Sequence, residues 1–381
     1  MKPERIRISY VIGSLAIGGA ETQLVRLVNG LDRERFEPSI ICLVEGGDLE
    51  KRLATDVAVV KPPSPPIAKG SRFRRIRVGR RALVTLVRGL QRQRPEILHA
   101  YLPSAYVPAS LIAWCFRVPL IVAGRRGLTT TDVYGTVLLR STSRLSNRVI
   151  DLQISNSNAA SELAISREGV SRERTRIVHN GIDLPRLGPV ALPPDLASNR
   201  AQAVMVANFI GYKGHAQVLQ AVATVVVRNP EFRLVLIGDG PERAALQRLC
   251  SDLGLKDHVV FAGRRPDAAL LIQGFDFSIL GSSEESLPNA VMESMAAAVP
   301  VVSTRVGGVS ELVDDRVHGL LVPFGEVQAM AEAIVWMLDH PDERRQMGDA
   351  GRRRIAADFS TKRMVAQTEA VYEEALARRP R

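Results

Sequence analysis

The feature that most narrows the folds open to this chain is an alternation. Short apolar runs rich in Val and Ile, closed by glycine or proline, are separated by stretches with helical spacing. Runs apolar at nearly every position belong to strands buried on both faces, and strand–helix–strand repetition implies parallel sheets. Ile6–Ile12 reads as a first strand, residues 14–21 as a turn and 22–31 as a helix. Further strands are expected at 39–44, 97–100, 120–123, 152–155 and 176–178, with a helix at 157–168. After a Pro-rich stretch at 185–194 the alternation resumes, with strands at 203–206, 234–237, 259–261, 277–280 and 299–304. Lys61-Pro62-Pro63-Ser64-Pro65-Pro66 is a stiff loop, since proline can continue neither a helix nor an inner strand.

With 381 residues the chain exceeds one ordinary core and suits two domains, joined at the Pro-rich stretch. The three cysteines, Cys42, Cys115 and Cys250, stand far apart and in no metal or redox spacing, so they are expected to be reduced in a cytoplasmic protein. The chain enters its first strand at once, so no signal peptide is expected. The most apolar stretch, 107–123, is broken by Pro108, Arg117 and Pro119, so it is not expected to be a transmembrane helix.

Charge is lopsided. Residues 1–187 hold 30 Lys and Arg against 16 Asp and Glu, whereas 188–381 hold 21 against 24. Between Lys69 and Arg94 there are ten cations and no acid, interspersed with Ile76, Leu83, Val84, Leu86, Val87 and Leu90. Such a basic amphipathic helix suits an anionic membrane surface, each cation near it contributing about 1 kcal/mol. A solvated face is the plainer reading. Nucleic acid is disfavoured, because Phe73 is the segment's only aromatic and no recognition motif occurs.

The chemistry concentrates at Ser283-Glu284-Glu285-Ser286-Leu287-Pro288-Asn289-Ala290-Val291-Met292-Glu293. Pro288 fits a first helical turn, which leaves Glu285 in the preceding loop and Glu293 about one turn inside. The backbone N–H groups at a helix start attract anions, and carboxylates accept from sugar hydroxyls. Together they suit a ligand carrying both phosphates and hydroxyls, such as a nucleotide sugar. A third acid, Glu311, follows the 299–304 strand and Gly307-Gly308.

The pattern Glu285…Glu293…Pro300-Val301…Gly307-Gly308…Glu311 resembles that of the retaining glycosyltransferases of family 4, and the resemblance covers nearly the whole chain. It implies the α/β fold called GT-B: two Rossmann-like, doubly wound parallel-sheet domains facing a cleft. The acceptor domain would be residues 1–187, the donor domain 188–360, and a final helix near 361–381 would cross back. It further implies transfer of a sugar from a nucleotide diphosphate sugar to a glycan or lipid-linked acceptor, as in bacterial surface polysaccharide synthesis, with no cofactor. No Asp-x-Asp occurs in the chain, so no metal is expected either.

Residue by residue, the resemblance gives Glu285 the hydroxyls of the transferred sugar and Glu293 those of the ribose. Lys213 and the turn Leu287–Ala290, with Pro288 and Asn289, would stabilise the leaving diphosphate. Gly240 and Arg264 fall on loops around the nucleotide, Glu311 opens a helix and joins the substrate-binding set, and Gly18 and Gly19 fall on the phosphate or acceptor loop. His99, at a strand end, is a cleft-lining candidate, although a structural histidine fits the residue equally. Two positions depart from the family. Asn208 stands where an arginine usually precedes the lysine, and Arg126 where a histidine usually faces the sugar. Arg126 keeps its charge at any relevant pH and cannot act as a base. An epimerase on the same fold, or a scaffold that binds nucleotide sugar without reacting it, stays open.

Overall fold

The computed structural model describes residues 5–63, 72–128 and 137–378, with side chains from 78 and from 142 in the latter two stretches. The Pro-rich loop beyond Pro63 and Lys69 therefore lie outside the described residues, as do the side chains of Arg72, Arg74, Arg75 and Arg77. Two compact units emerge: residues 1–181 with 361–381, and residues 182–360.

Among the described residues, the first unit carries seven strands: β1 (Ile6–Ile12), β2 (Phe36–Cys42), β3 (Ala58–Val60), β4 (Ile97–Tyr101), β5 (Leu120–Arg125), β6 (Leu152–Ser155) and β7 (Thr175–Ile177). Their order is β3-β2-β1-β4-β5-β6-β7, and every pairing is parallel. The second unit carries β8 (Gln202–Val206), β9 (Arg233–Ile237), β10 (Val259–Gly263), β11 (Phe277–Leu280), β12 (Val301–Thr304) and β13 (Gly319–Val322). Their order is β10-β9-β8-β11-β12-β13, again parallel throughout. Both are doubly wound sheets. The chain reverses its direction of travel between β1 and β4 in one and between β8 and β11 in the other, and ligands of such sheets bind at that reversal, beyond the strands' carboxyl ends.

Several boundaries differ from the sequence reading, for local reasons. β2 starts at Phe36 and includes Pro38; only Ser39–Ile41 pair with β3, so the proline sits where β2 has no neighbour on that side. The first helix spans Gly19–Gly30, three residues earlier than expected, with Gly18 as an extended N-cap and Glu21 favourably placed in its first turn. Residues 107–123 divide between the helix Pro103–Cys115 and β5. Pro103 starts that helix and Pro108 lies inside it. Among the described residues, no helix is long and apolar enough to cross a membrane.

The final helix, Thr361–Ala377, belongs to the first unit's core. Met364, Val365 and Tyr372 are buried with Val28, Leu31 and Phe36. The Asp32 N–H donates to Glu369 Oε1 at 2.8 Å. The Pro-rich stretch expected as a linker packs on the second unit: Arg352 Nη2 donates to the Pro185 carbonyl at 2.9 Å, and Leu192 lies against Gly274.

Candidate functional site

In the second unit the loops following β8 and β11 stand side by side, because those strands are neighbours at the reversal. The β8 loop ends in a 3-10 turn, Gly211–Lys213, and the β11 loop runs through Ser282 and Glu285. They touch at two glycines. Gly214 has φ +71, and a methyl there would overlap the Gly281 carbonyl. A Ser283 N–H bond to the Tyr212 carbonyl, 2.8 Å, adds a second tie.

That approach brings Lys213 and Glu285 together. Lys213 Nζ lies 2.6 Å from Glu285 Oε1, and Ser282 Oγ donates to the same oxygen at 2.7 Å. Glu285 is buried and Lys213 mostly so, their side chains 9% and 17% exposed. Lys213 Nζ also lies 4.9 Å from the centre of the Tyr212 ring. Half-buried charge pairs are less screened than surface ones. The arrangement holds an ammonium and a carboxylate in fixed places, one suited to a phosphate and the other to a hydroxyl. The Gly308 N–H donates to the Glu285 carbonyl at 3.0 Å, which ties the Gly307-Gly308 loop to the same centre.

The helix after this loop is Asn289–Ala296, with Pro288 as its N-cap and not, as expected, inside its first turn. Pro288 contributes no side-chain cap. Leu287 is buried in the core beneath, while Asn289, Ala290 and Glu293 are half-buried. Glu311 lies in the one-turn helix Val309–Leu312. Gly240 packs against the Phe209 backbone with no space for a side chain, so loop packing alone accounts for that glycine. Arg264 and Asn208 are exposed.

In the first unit, Arg126 follows β5. Its Nη1 donates to Asn180 Oδ1 at 2.7 Å and its Nη2 to the Tyr101 hydroxyl at 3.3 Å, with the guanidinium 5.1 Å from the centre of that ring. The preceding Arg125 is instead buried, 2.5 Å from Glu168 Oε2. Gly18 and Gly19 cap the first helix after β1, where the Glu21 carboxylate lies over Gly18. Burial raises that carboxyl above its ordinary pKa. His99 corrects an expectation. It is fully buried and lines no open surface; its Nδ1 sits 2.5 Å from the Tyr372 hydroxyl and its ring packs on Tyr101. Burial, and secondarily Arg126, holds it well below the usual histidine pKa, as a neutral core residue.

Sequence reasoning assigned no role to His215. It opens the helix His215–Arg228 directly after Lys213-Gly214, is 1% exposed, and has no hydrogen-bond partner on either ring nitrogen. Burial first, then Lys213, lowers its pKa to about 4. The folded state thus holds the ring neutral while the unfolded chain protonates it near pH 6.5. The associated stability is complete above that pH and is lost as pH falls toward about 4. The loss is on the order of 3 kcal/mol at most. Thermal melts of His215→Leu are expected to show a flatter acid limb between pH 6.5 and 4; an unchanged limb would place the acid sensitivity elsewhere.

Models of two families match the chain. "Glycosyltransferase Family 4" covers residues 17–186 and "Glycosyl transferases group 1" residues 193–354. The chain belongs to glycosyltransferase family 4. This glycosyltransferase is 28% identical over 366 residues to the lipopolysaccharide core biosynthesis glycosyltransferase LpsE of Rhizobium meliloti, covering 95% of this chain and 97% of that one. It is 27% identical over 299 residues to the N-acetyl-alpha-D-glucosaminyl L-malate synthase of Bacillus anthracis, covering 75% and 76%. The crystal structure of Anabaena HepE in complex with UDP-glucose superposes with a TM-score of 0.79 at 20% identity, over 97% of the transferase and all of HepE. That likeness establishes the GT-B fold for the transferase.

Proposed function

We propose that the transferase moves a sugar from a nucleotide diphosphate sugar to an acceptor hydroxyl with retention of configuration, in surface polysaccharide or glycolipid synthesis. The Lys213–Glu285 pair at the β8/β11 reversal carries this reading. Lys213 and the start of the Asn289–Ala296 helix take the diphosphate, since cations and helix N-termini stabilise charge developing on a leaving phosphate. Glu285 orients the transferred sugar and Glu293 the ribose. The departing phosphate accepts the proton of the acceptor hydroxyl on the face it leaves. Asn208 adds a neutral contact where a second cation is usual, and Arg126 offers a fixed charge to the acceptor. The absence of Asp-x-Asp supports a diphosphate held without metal. The UDP-glucose in HepE and the lipopolysaccharide role of LpsE support the donor class and the pathway. A lipid-linked acceptor fits the cation-rich segment 69–94, whose helix Arg72–Gln93 would rest on an anionic leaflet.

Melting with UDP, GDP and ADP, each with and without magnesium, tests the donor site. One nucleotide at about 100 times its Kd should add about 2.7 kcal/mol, with no need of metal. No shift with any of them would overturn the reading. Nucleotide release only on adding an acceptor separates transfer from epimerisation, which releases nucleotide without one.

A further inference from the structure

We propose that the edge of the first sheet at the amino ends of β4 to β7 docks on an anionic lipid bilayer. The proposal rests on the membrane contact assigned above to residues 69–94, and it moves the centre of that contact to different residues. The strand register sets the edge. Ile97 pairs with Leu120, Val122 with Leu152 and Gln153 with Thr175, so the four strands begin in one row. Arg94, Arg117, Arg148 and Arg174 stand within a few residues of those four starts; of the acids there, Glu96 pairs with Arg7 and Asp151 accepts the Ile121 N–H, while Glu173 is exposed.

Large apolar side chains lie exposed along the same row: Trp114 at 62%, Phe116 at 40% and Leu145 at 48%. The helices Pro103–Cys115 and Val137–Val149 are pinned together by Ser110 Oγ and Ser146 Oγ, 2.8 Å apart, one turn before their ends. Both helices therefore end at the same edge, with Trp114 and Arg148 exposed in their last turns. Arg148 lines a cavity of about 460 Å³ together with Arg144, Asn147, Ser171, Arg174 and one acid, Glu168, among others, wide enough for a phosphate headgroup.

The backbone presents these charges in an unusual way. The Pro103–Cys115 helix closes with Val118 N–H bonded to the Ala113 carbonyl and Arg117 N–H to the Trp114 carbonyl, both 3.0 Å, a closure that normally places glycine at the left-handed position. Arg117 occupies it with φ 54, and Arg94 ends the neighbouring helix with φ 43. Among the described residues, two of the five non-glycine residues with positive φ are thus arginines at adjacent helix ends, kept where glycine would be less strained. Among the described residues, Arg94, Arg117, Arg144 and Arg148 have no carboxylate partner, and Glu168 nearby is tied to Arg125. Unpaired arginines around exposed Trp and Phe match a bilayer interface, where aromatic rings enter the headgroup layer and cations meet lipid phosphates.

The chain has two tryptophans, so Trp336→Phe leaves Trp114 as the sole emitter. With phosphatidylglycerol vesicles carrying brominated chains, its emission should shift to the blue and be quenched at least twofold; phosphatidylcholine vesicles should do neither. Arg94→Glu with Arg117→Glu should weaken vesicle binding about tenfold or more. Trp114→Ala with Phe116→Ala should weaken it several-fold while preserving the nucleotide-induced rise in Tm, which shows the fold intact. Binding with Trp114 unquenched, lost instead in Arg80→Glu/Arg81→Glu, would overturn this surface and leave the 69–94 contact standing. Absence of vesicle binding would overturn both, and the nucleotide melts would still judge the transferase reading independently. A dimer abolished by Trp114→Ala, without vesicle binding, would replace the bilayer by a second copy.

Discussion

Glu285→Gln is expected to transfer sugar about 10³-fold more slowly than the parent while melting within a few degrees of it. The amide keeps the shape and can still accept from Ser282, so packing around this buried position is preserved. What disappears is the charge 2.6 Å from Lys213 Nζ and the strong acceptor offered to a sugar hydroxyl. Losing one preorganised electrostatic partner typically lowers kcat by about 10²–10³. Nucleotide affinity should hold or rise, because a negative charge beside the diphosphate position has been neutralised. Steady-state kinetics together with nucleotide melts check both halves. A near-parental rate would remove Glu285 from the chemistry, and a matching loss of nucleotide affinity would recast it as a structural partner of Lys213.

Gly214→Ala is expected to lower the stability of the second unit by about 3 kcal/mol, a fall in Tm of roughly 6–12 °C, and to reduce transfer with it. Two costs add. A left-handed backbone costs an alanine about 1 kcal/mol or more, and the new methyl overlaps the Gly281 carbonyl, which is backbone and cannot rotate away. Relief requires the β8 and β11 loops to part, which separates Lys213 from Glu285. Gly254→Ala is the control. Gly254 has φ +70 in the same unit but open space around it, so only the conformational cost applies. Equal effects in the two variants would show that the loop contact is not what holds the site.

The sequence carried the architecture because parallel sheets are read from runs apolar on both faces, as at β8 and β9. It missed β3 and β13, which have three and four residues and too little pattern to separate from loop. The two prolines of residues 103–108 hid a helix, because the first fills its start and the second is tolerated by packing against β4 and β5. In the site, spacing marked Glu285 and Glu293, yet nothing local shows that Lys213 meets Glu285 across 72 residues; that contact comes from strand order. His99 illustrates the reverse limit. A strand-end histidine reads as a ligand contact until Tyr372, on a helix 273 residues away, is seen to cover it. His215 gave no signal at all, since its lack of partners is a property of the packed state.

The place of the Thr361–Ala377 helix in the first unit's core governs how this chain emerges from the ribosome. Val28, Leu31 and Phe36 are made early, whereas Met364, Val365 and Tyr372, which bury them, are made only after the whole second unit. At about 5–20 residues per second, the intervening second unit of 182–360 takes roughly ten to forty seconds to appear. Throughout that interval the amino-terminal sheet waits with one apolar flank uncovered, while the unit that begins later can finish first. Exchange of domains among relatives follows the same logic: the closing helix must travel with the amino-terminal half, or each hybrid inherits a core with a mismatched lid.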